Sequence, residues 1–354
     1  MVSRDTIYKG IEMKNNKKLR FAIVGAGAVA SHHVKALRQL EDVEIISICD
    51  QNETKAAELA EQYGILWTTD YQKVLNNPDV DVIDAAVPSG LHAETGLAAA
   101  KAGKHVIVEK PIDVSLEKAD RLINECQNAG VTLGVMSQYR FMDASQKLYD
   151  LLKKGKLGTL IHGEASIKWY RSMDYYNSGA WRGTWELDGG GPFINQGIHF
   201  IDLLLSVMGP VKWVYGKTRN AIHDIEVEDI GMAMLEFTNG TTGVIQASTA
   251  TFPGLPARLD IHGAEGTVVI EGEKLAFVHI KGEEPFRDYG LAEGGAAKPM
   301  DIDLKPFVRE YKDIVSAIRE KREPIINGAE ARRALQLILA IYESSKKDQP
   351  VYLN

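Results

Sequence analysis

The chain has 354 residues, of which 45% are hydrophobic and 25% charged, and its net charge is −7 at pH 7. This balance is typical of a globular protein with one large domain or two smaller ones. The negative charge and the scattered basic residues argue against nucleic-acid binding, and no apolar run approaches the roughly 18–20 residues of a membrane helix. We therefore expect neither nucleic acid nor a membrane as a partner.

Two cysteines and a polar terminus bear on where the protein works. Cys49 and Cys126 belong to no C-x-x-C pair, which fits a reducing cytoplasm and argues against a disulfide framework or a thiolate zinc site. Residues 1–18 lack the apolar segment of a secretory signal and predict a loose tail. We predict a cytoplasmic protein without a bound metal.

The segment 19–138 alternates apolar strands with helices. "LRFAIVG" predicts the first strand, residues 28–40 a helix and "VEIISICD" the second strand, and the alternation continues through "HVIVEKP" to "VTLGVMSQYR". Apolar, β-branched strands separated by helices indicate a parallel sheet covered on both faces. Because such crossovers are right-handed, we predict a doubly wound Rossmann dinucleotide-binding domain of the α/β class.

The pattern changes after about residue 158. "TLIHGEASIKWYR" alternates polar and apolar residues, as a strand with one solvated face does, and two hairpins turn at Asn239-Gly240 and at 264–266. Two closing helices and one long irregular loop are predicted over 306–322, 329–346 and 283–300. We therefore predict an α+β domain with a mostly antiparallel sheet over 139–354, whose last helices pack back on the first domain.

The segment "GAGAVA" follows the first strand and opens the first helix. Gly25 allows the tight turn, Gly27 lets the main chain approach a pyrophosphate, and the small Ala30 lets the helix pack on the strand. The pyrophosphate then lies at the helix N-terminus. Asp50 ends the second strand, where a carboxylate accepts both adenosine ribose hydroxyls and repels a 2′-phosphate, so the predicted cofactor is NAD.

Two segments place histidines near this region. "VPSGLHAE" carries Pro88 and His92 at the carboxyl edge of the fourth strand, where ligands bind in open α/β sheets. On position alone, however, His92 fits a structural histidine at a helix start better than a site residue. In "GGGPFINQGIHFID", Asn195 and His199 are i and i+4 on a predicted, largely buried helix and share a face. A bland polar face is the alternative interpretation.

Two further segments carry polar side chains that could line a cleft between the two predicted domains. "HVIVEKPI" ends a buried strand in Glu109 and Lys110, although charged residues are rarely buried without partners. Residues 168–191 are dense in aromatic and polar side chains, and sugar sites pair aromatic faces with hydrogen-bonding groups. We predict a substrate loop with Trp181 and Arg182 at the cleft, and an oligomer contact is the alternative.

Together these motifs resemble the glucose–fructose oxidoreductase/inositol dehydrogenase/MocA family, over about 19–354. The resemblance rests on segments that occur in family order: G-A-G-A-V-A, V-P-S-x-x-H, E-K-P at 109–111, Q-Y-R-F at 138–141, W-R at 181–182 and G-G-G-x-x-x-N-Q-G-I-H. It implies a nicotinamide-binding Rossmann domain followed by a large open sheet that supplies the substrate wall and often the oligomer contact.

By this resemblance Lys110 is the catalytic lysine and His199 its partner, and the peptide before Pro111 is often cis. Inositol dehydrogenases have Asp where this chain has Asn195, and an amide cannot accept a proton. The base is therefore Lys110 or His199, and the substrate is expected to differ from inositol itself. We expect Lys110 to be the general base, with His199 and Asn195 assisting.

The predicted cofactor contacts are Gly25, Gly27, Ala28, Val29, Asp50, Pro88, His92, Glu109, Lys110 and Gln138. The predicted substrate contacts are Tyr139, Arg140, Trp169, Arg171, Trp181, Arg182, Asn195 and His199. The Asn195 variant of the motif resembles family branches that act on nucleotide-sugar acids and other pyranosides, commonly at C3. By this resemblance we predict an NAD-dependent dehydrogenase, a homodimer or homotetramer, that oxidises a ring secondary hydroxyl of a sugar, sugar derivative, nucleotide sugar or glycoside. An NAD-requiring glycosidase and a catalytically silent cofactor-binding regulator are the alternatives.

Overall fold

The computed structural model describes residues 17–288 and 303–353. Most of the predicted tail, 1–16, and residues 289–300 of the predicted irregular loop lie outside the described residues. Within the described part of the chain, no helix has the length and apolar character that crossing a membrane requires.

The described elements up to Met136 are, in chain order, β1 (Leu19–Val24), α1 (Ala30–Leu37), β2 (Val43–Cys49), α2 (Glu53–Tyr63), β3 (Leu66–Thr68), α3 (Tyr71–Leu75), β4 (Val82–Ala85), α4 (His92–Lys101), β5 (His105–Glu109), α5 (Leu116–Ala129) and β6 (Leu133–Met136). The six strands form one parallel sheet in the order β3-β2-β1-β4-β5-β6. The strand order reverses between β1 and β4, and ligands of doubly wound sheets bind at such a point.

Local signals define the ends of these helices. The side chain of Asn52 caps α2 by accepting a hydrogen bond from the main-chain N–H of Lys55, and Gly64 ends the helix at φ 67°. Ser115 caps α5 in the same way, and Gly130 ends it at φ 66°. Glycine adopts positive φ without the steric cost of a side chain, which is why these helices stop there.

The described elements after Met136 are α6 (Asp143–Lys153), β7 (Leu160–Lys168), α7 (Met173–Asn177), α8 (Ile198–Met208), β8 (Val211–Arg219), β9 (Ile230–Phe237), β10 (Thr242–Ser248), β11 (Arg258–Gly263), β12 (Gly266–Glu271), β13 (Lys274–Ile280), β14 (Phe286–Arg287), α9 (Lys305–Glu320), α10 (Gly328–Lys347) and β15 (Val351–Tyr352). The nine strands form a second sheet in the order β14-β13-β12-β11-β7-β10-β9-β8-β15. Its strands pair antiparallel except for the parallel pair of β10 and β7.

These two sheets confirm the predicted fold class. Helices α8 and α10 pack on one face of the second sheet, whereas Met232 and Met234 of β9 project from its other face and are more than half exposed. Helix α9 packs instead against α1, and its Tyr311 and Phe307 contact the ring of His33. Helix α10 also contacts α5 and β6, so both closing helices contact elements of the first domain.

Candidate active site

The turn from β1 to α1 packs closely against the main chain at Gly25 but has free space at Gly27. Gly25 has φ 104°, and a Cβ atom on it would lie 2.2 Å from the carbonyl oxygen of Ala86, so only glycine fits this position. A Cβ on Gly27 would meet no atom within 4 Å. Ala28 and Val29 follow on the open side, and no side chain caps the start of α1. This open turn and helix N-terminus fit a pyrophosphate.

Asp50 lies directly beside this turn. Its Oδ2 accepts a hydrogen bond of 2.7 Å from the main-chain N–H of Ala26, and its Oδ1 accepts one of 2.8 Å from that of Asn52. The side chain stays partly exposed, and each carboxylate oxygen has a further lone pair for a ribose hydroxyl. The residues present therefore fit the adenosine ribose of NAD.

Lys110 follows the last residue of β5, and the Lys110–Pro111 peptide is cis. Its Nζ donates a hydrogen bond of 2.9 Å to the main-chain carbonyl of Asn195. The lysine thus connects the edge of the first sheet to the loop that precedes α8. Burial lowers the pKa of the amine, although the negative charges of Glu109 and Asp188 act in the opposite direction.

Asn195 corrects one prediction, because it does not share a helical face with His199. Helix α8 begins only at Ile198, and Asn195 lies in the preceding turn, where its N–H bonds to the carbonyl of Gly191. Pro192 and Gly197 stand between the glycine run and the helix, and the turn closes through a bond from the N–H of Gly197 to the carbonyl of Pro192. The Asn195 side chain is therefore held by the loop.

His199 is in the first turn of α8 and is only 8% exposed. Its ring stacks on that of Tyr139 with centroids 4.4 Å apart, and its buried Nδ1 makes no hydrogen bond within the described part of the chain. Burial, helped by the positive charge of Lys110, lowers the pKa of His199 well below its usual value. The imidazole is therefore neutral and can hold a hydroxyl.

Arginine and aromatic side chains cluster in the predicted substrate loop. The guanidinium carbon of Arg182 lies 4.3 Å from the ring centroid of Tyr175 and 4.5 Å from that of Trp181. The guanidinium of Arg171 lies 5.0 Å from Trp169 and 5.3 Å from Tyr175. Arg182 also donates from Nη1 to the hydroxyl of Tyr175 at 2.6 Å. Both guanidinium groups thus share one tyrosine ring.

Several buried polar atoms in or beside these residues have no hydrogen-bond partner among the described residues. They are Gln138 Oε1, Trp169 Nε1, Arg182 Nε, Gln196 Oε1 and His199 Nδ1. Buried polar groups are almost always hydrogen-bonded in native proteins. A polar ligand bound at these residues would supply the missing partners.

Two predicted cofactor contacts, His92 and Glu109, also make hydrogen bonds within the protein. The ring nitrogens of His92 face the main-chain carbonyls of Pro111 at 2.6 Å and Val87 at 3.0 Å, and its side chain supports those turns. Glu109 turns into the core, where its Oε1 bonds to Nε2 of His33 at 3.0 Å. Pro88 begins a short 3-10 helix over Ser89–Leu91 at the same sheet edge.

Arg140, a predicted substrate contact, binds two acidic side chains. Its Nε and Nη2 donate to the two oxygens of Asp202 at 2.7 and 2.5 Å, and its Nη1 donates to Glu330 at 3.1 Å. The side chain is 7% exposed. With all three nitrogens engaged, Arg140 joins α8 to α10.

Three residues at this site were missed by the sequence analysis: Asp188, Tyr175 and Gln196. Asp188 accepts hydrogen bonds from the side chain of Asn195 and from the N–H of Gly183. Gln196 donates to the hydroxyl of Tyr175 at 3.2 Å. The available signal for Asp188 was its position directly before the three glycines; nothing in the sequence distinguishes Gln196 from its neighbours.

Metal chemistry gains no support from the side chains. Within residues 17–288 and 303–353, no group of three His, Cys, Asp or Glu side chains could hold a metal ion. The glycine turn, the carboxylate at the end of β2 and the lysine in the cleft instead define a dinucleotide-dependent oxidoreductase.

Comparison with known proteins gives the family. Residues 19–137 match the model of the oxidoreductase family with an NAD-binding Rossmann fold, and residues 145–269 match the GFO/IDH/MocA C-terminal domain. The chain belongs to the Gfo/Idh/MocA family of oxidoreductases, and its cofactor is NAD.

Three relatives illustrate the range of the family. The WlbA dehydrogenase of Bordetella pertussis, solved with NADH and UDP-GlcNAcA, is 31% identical with a TM-score of 0.84, and the match covers 96% of this chain and 99% of that one. Myo-inositol 2-dehydrogenase of Thermotoga maritima is 24% identical over 95% of this chain and 98% of its own. D-apiose dehydrogenase of Paraburkholderia graminis is 24% identical over 95% and 90%.

Proposed function

We propose that the protein oxidises a secondary hydroxyl of a ring, at C3, in a sugar, sugar derivative, nucleotide sugar or glycoside. The observation that carries this proposal is the bond of 2.9 Å between Lys110 Nζ and the carbonyl of Asn195. It holds an amine of lowered pKa between the first sheet and the loop that precedes α8. Bound NAD supplies the hydride acceptor.

Lys110 is the general base in this proposal. A neutral amine donates one N–H to the carbonyl of Asn195 and keeps its lone pair for the substrate hydroxyl. Burial favours this neutral form. His199 holds the same hydroxyl, because its ring is neutral and its stacking on Tyr139 fixes the plane. Proton removal by a positioned base accompanies departure of the hydride from the carbinol carbon.

The proposed substrate class is supported by the aromatic and arginine side chains of the substrate loop. Arg182, Tyr175 and Trp181 offer charged, hydroxyl and aromatic surfaces together, which is how proteins contact sugars and their polar substituents. The Bordetella pertussis relative was solved with a nucleotide-sugar acid, which supports a substrate of that kind. The buried free thiols Cys49 and Cys126 support a site of action in the cytoplasm.

The test is a substrate panel with NAD that includes inositols, free pyranoses, glycosides, uronic acids and their nucleotide conjugates. We expect NADH to accumulate with at least one ring sugar, with the strongest response among the acids and glycosides. Substrate deuterated at C3 should transfer its deuterium to the nicotinamide, whereas deuterium at the other ring carbons should stay in the sugar.

Three results would contradict the proposal in different ways. Release of an aglycone from a glycoside without net NADH would indicate an NAD-requiring glycosidase of the same fold. Tight NAD binding without NADH formation or bond cleavage for any member of the panel would indicate a cofactor-binding regulator. Transfer of deuterium from a carbon other than C3 would overturn only the position of oxidation.

A further inference from the structure

Asp188 and Asn195 form a closely spaced pair inside the proposed site. Asp188 is 2% exposed. Its Oδ1 accepts a hydrogen bond of 2.5 Å from Nδ2 of Asn195, and its Oδ2 accepts one of 2.9 Å from the main-chain N–H of Gly183. Asn195 also accepts the hydrogen bond from Lys110 on its main-chain oxygen. One residue therefore links the buried carboxylate to the lysine.

The chemistry of the pair fixes the orientation of the amide. An ionised carboxylate only accepts hydrogen bonds, so the Asn195 atom that faces it must be the NH₂ group. The amide oxygen then points away from Asp188. None of the described residues donates a hydrogen bond to Asn195 Oδ1, and Asn195 is only partly buried. This oxygen is therefore available as an acceptor beside Lys110.

We propose that Asp188 is a positioning residue that turns Asn195 so that its Oδ1 accepts the hydrogen bond of the reacting substrate hydroxyl. The inference rests on the proposed function and adds to it the orientation of the Asn195 side-chain amide. With Asn195 as acceptor, the hydroxyl is held before it passes its proton to Lys110. Asn195 itself takes no proton, because an amide oxygen is not a base near neutral pH.

The carboxylate has a second effect through its charge. Asp188 attracts the protonated form of Lys110 and so raises the pKa of that amine against the effect of burial. A variant that removes this charge should therefore move the protonation of Lys110 to lower pH. A group that served only to stabilise the fold would leave this protonation unchanged.

Asp188→Asn should reverse the orientation of the Asn195 side-chain amide. Its oxygen must still accept from Gly183 N–H, which turns its NH₂ group toward Asn195. Asn195 then has to rotate its oxygen toward position 188 and present NH₂ to the substrate. Turnover should fall by roughly 10–100-fold, as for other lost orienting partners, and the ascending limb of the kcat/KM profile should move to lower pH.

The exchanged pair is the decisive variant. Asn195→Asp alone puts two carboxylates in contact, which must share a proton, and should also lose turnover. In Asp188→Asn with Asn195→Asp, NH₂ at 188 donates to the carboxylate at 195, and the second oxygen of that carboxylate still faces the substrate. The double variant should regain at least about tenfold over either single variant.

The matched control is Asp288→Asn, which removes the same charge from an exposed residue directly after β14. It should leave turnover and the pH profile as in the wild type. NAD binding by calorimetry should be unchanged in all variants, and thermal unfolding should be unchanged in the control. If the double variant is no better than the worse single variant, or if Asp188→Asn keeps full turnover, the positioning role is wrong.

Hydrogen exchange of the Asn195 side-chain NH₂ group can be measured without any catalytic turnover. It therefore tests this inference separately from the proposed function. The side-chain NH₂ signals of Asn195, identified by their loss in Asn195→Asp, should exchange slowly with water in the wild type and quickly in Asp188→Asn. Equal exchange in both proteins would overturn the proposed orientation. A wild type that oxidises no sugar, but shows slow exchange, would overturn the proposed function and leave the orientation supported.

Discussion

Lys110 accepts the substrate proton in this account, so its protonation state sets the pH dependence of the enzyme. Burial lowers its pKa from the usual 10.5, against the charges of Glu109 and Asp188. Because only the neutral amine accepts a proton, kcat/KM should rise with pH, with its midpoint below 10.5. The measurement is a pH profile at saturating NAD. A midpoint at or above 10.5 would contradict this assignment.

We predict that Asp50 determines the choice between NAD and NADP. Its carboxylate lies beside the glycine turn through its bond to Ala26. With NAD it gains charge-assisted hydrogen bonds of roughly 1.5–3 kcal/mol each, whereas a 2′-phosphate meets repulsion. The wild type should therefore strongly favour NAD in kcat/KM, and Asp50→Ala should reduce this preference by at least about tenfold. The exposed neighbour Gln51 provides the control variant Gln51→Ala, and equal wild-type values for both cofactors would contradict the role.

At the scale of elements, His33 joins the cofactor helix to three other elements. Its ring nitrogens bond to Asp84 on β4 at 3.1 Å and to Glu109 on β5 at 3.0 Å, and Tyr311 of α9 donates to Asp84. Burial alone would lower the pKa of His33, but the two carboxylates outweigh it and raise the pKa to about 10. A buried imidazolium thus holds α1 against the strand that carries Lys110.

We expect His33→Gln to lower the free energy of unfolding by about 3–5 kcal/mol near neutral pH, because it leaves two buried carboxylates without their cation. The raised pKa means that this contribution is fully present below the unfolded pKa of 6.5 and is lost as pH rises through about 10. The difference between wild type and variant should therefore shrink over that range. Urea unfolding at several pH values provides the measurement.

The adjacent histidine is the control for this prediction. His32 is also buried, but its Nδ1 has no partner among the described residues and burial lowers its pKa. We therefore expect the free energy of unfolding of His32→Gln to differ from that of wild type by the same amount at every pH between 6.5 and 10. If the His33 variant differs from wild type by the same free energy at every pH, the imidazolium assignment is wrong.

The elements themselves were largely predictable, because their signals are local. The glycine turn, Asp50 and the caps of α2 follow from residues a few positions apart. The role of Arg140 does not, since its partners Asp202 and Glu330 are 62 and 190 positions away in the chain. A polar side chain near a sheet edge has the same appearance in the sequence whether it binds a ligand or a buried carboxylate.

At the scale of the whole molecule, the open face of the nine-stranded sheet exposes apolar side chains of the described residues to solvent. Met234 stands in register between Tyr215 of β8 and Val244 of β10, and it is 54% exposed. Such an apolar row on a sheet face is a liability in a monomer. We predict that a second copy covers it, in a homodimer or homotetramer.

Met234→Lys should shift the protein toward monomers, because burial of a lysine in the contact leaves its charge unpaired. Light scattering at micromolar concentration measures the shift. Ile325→Lys, which replaces a similarly exposed residue between α9 and α10, should not change the assembly. A wild type that is strictly monomeric would contradict the prediction.

The meeting of the two sheets at Lys110 and Asn195 was predicted only through the family resemblance. No local pattern relates β5 to the loop before α8, and the correct loop conformation depends on Asp188, Gly191 and Gly197 together. Helical periodicity across that segment instead suggested a longer helix. The proline and glycine in the turn delay its start to Ile198.

The most direct test of the central claim is single-turnover NADH formation by wild type and Lys110→Ala on a ring sugar that the substrate panel identifies. We predict that Lys110→Ala binds NAD as tightly as wild type by calorimetry but forms NADH roughly 10²–10⁴-fold more slowly. Lys110→Arg should be little better, because a guanidinium does not deprotonate near neutral pH. Near-normal NADH formation by Lys110→Ala would contradict the account.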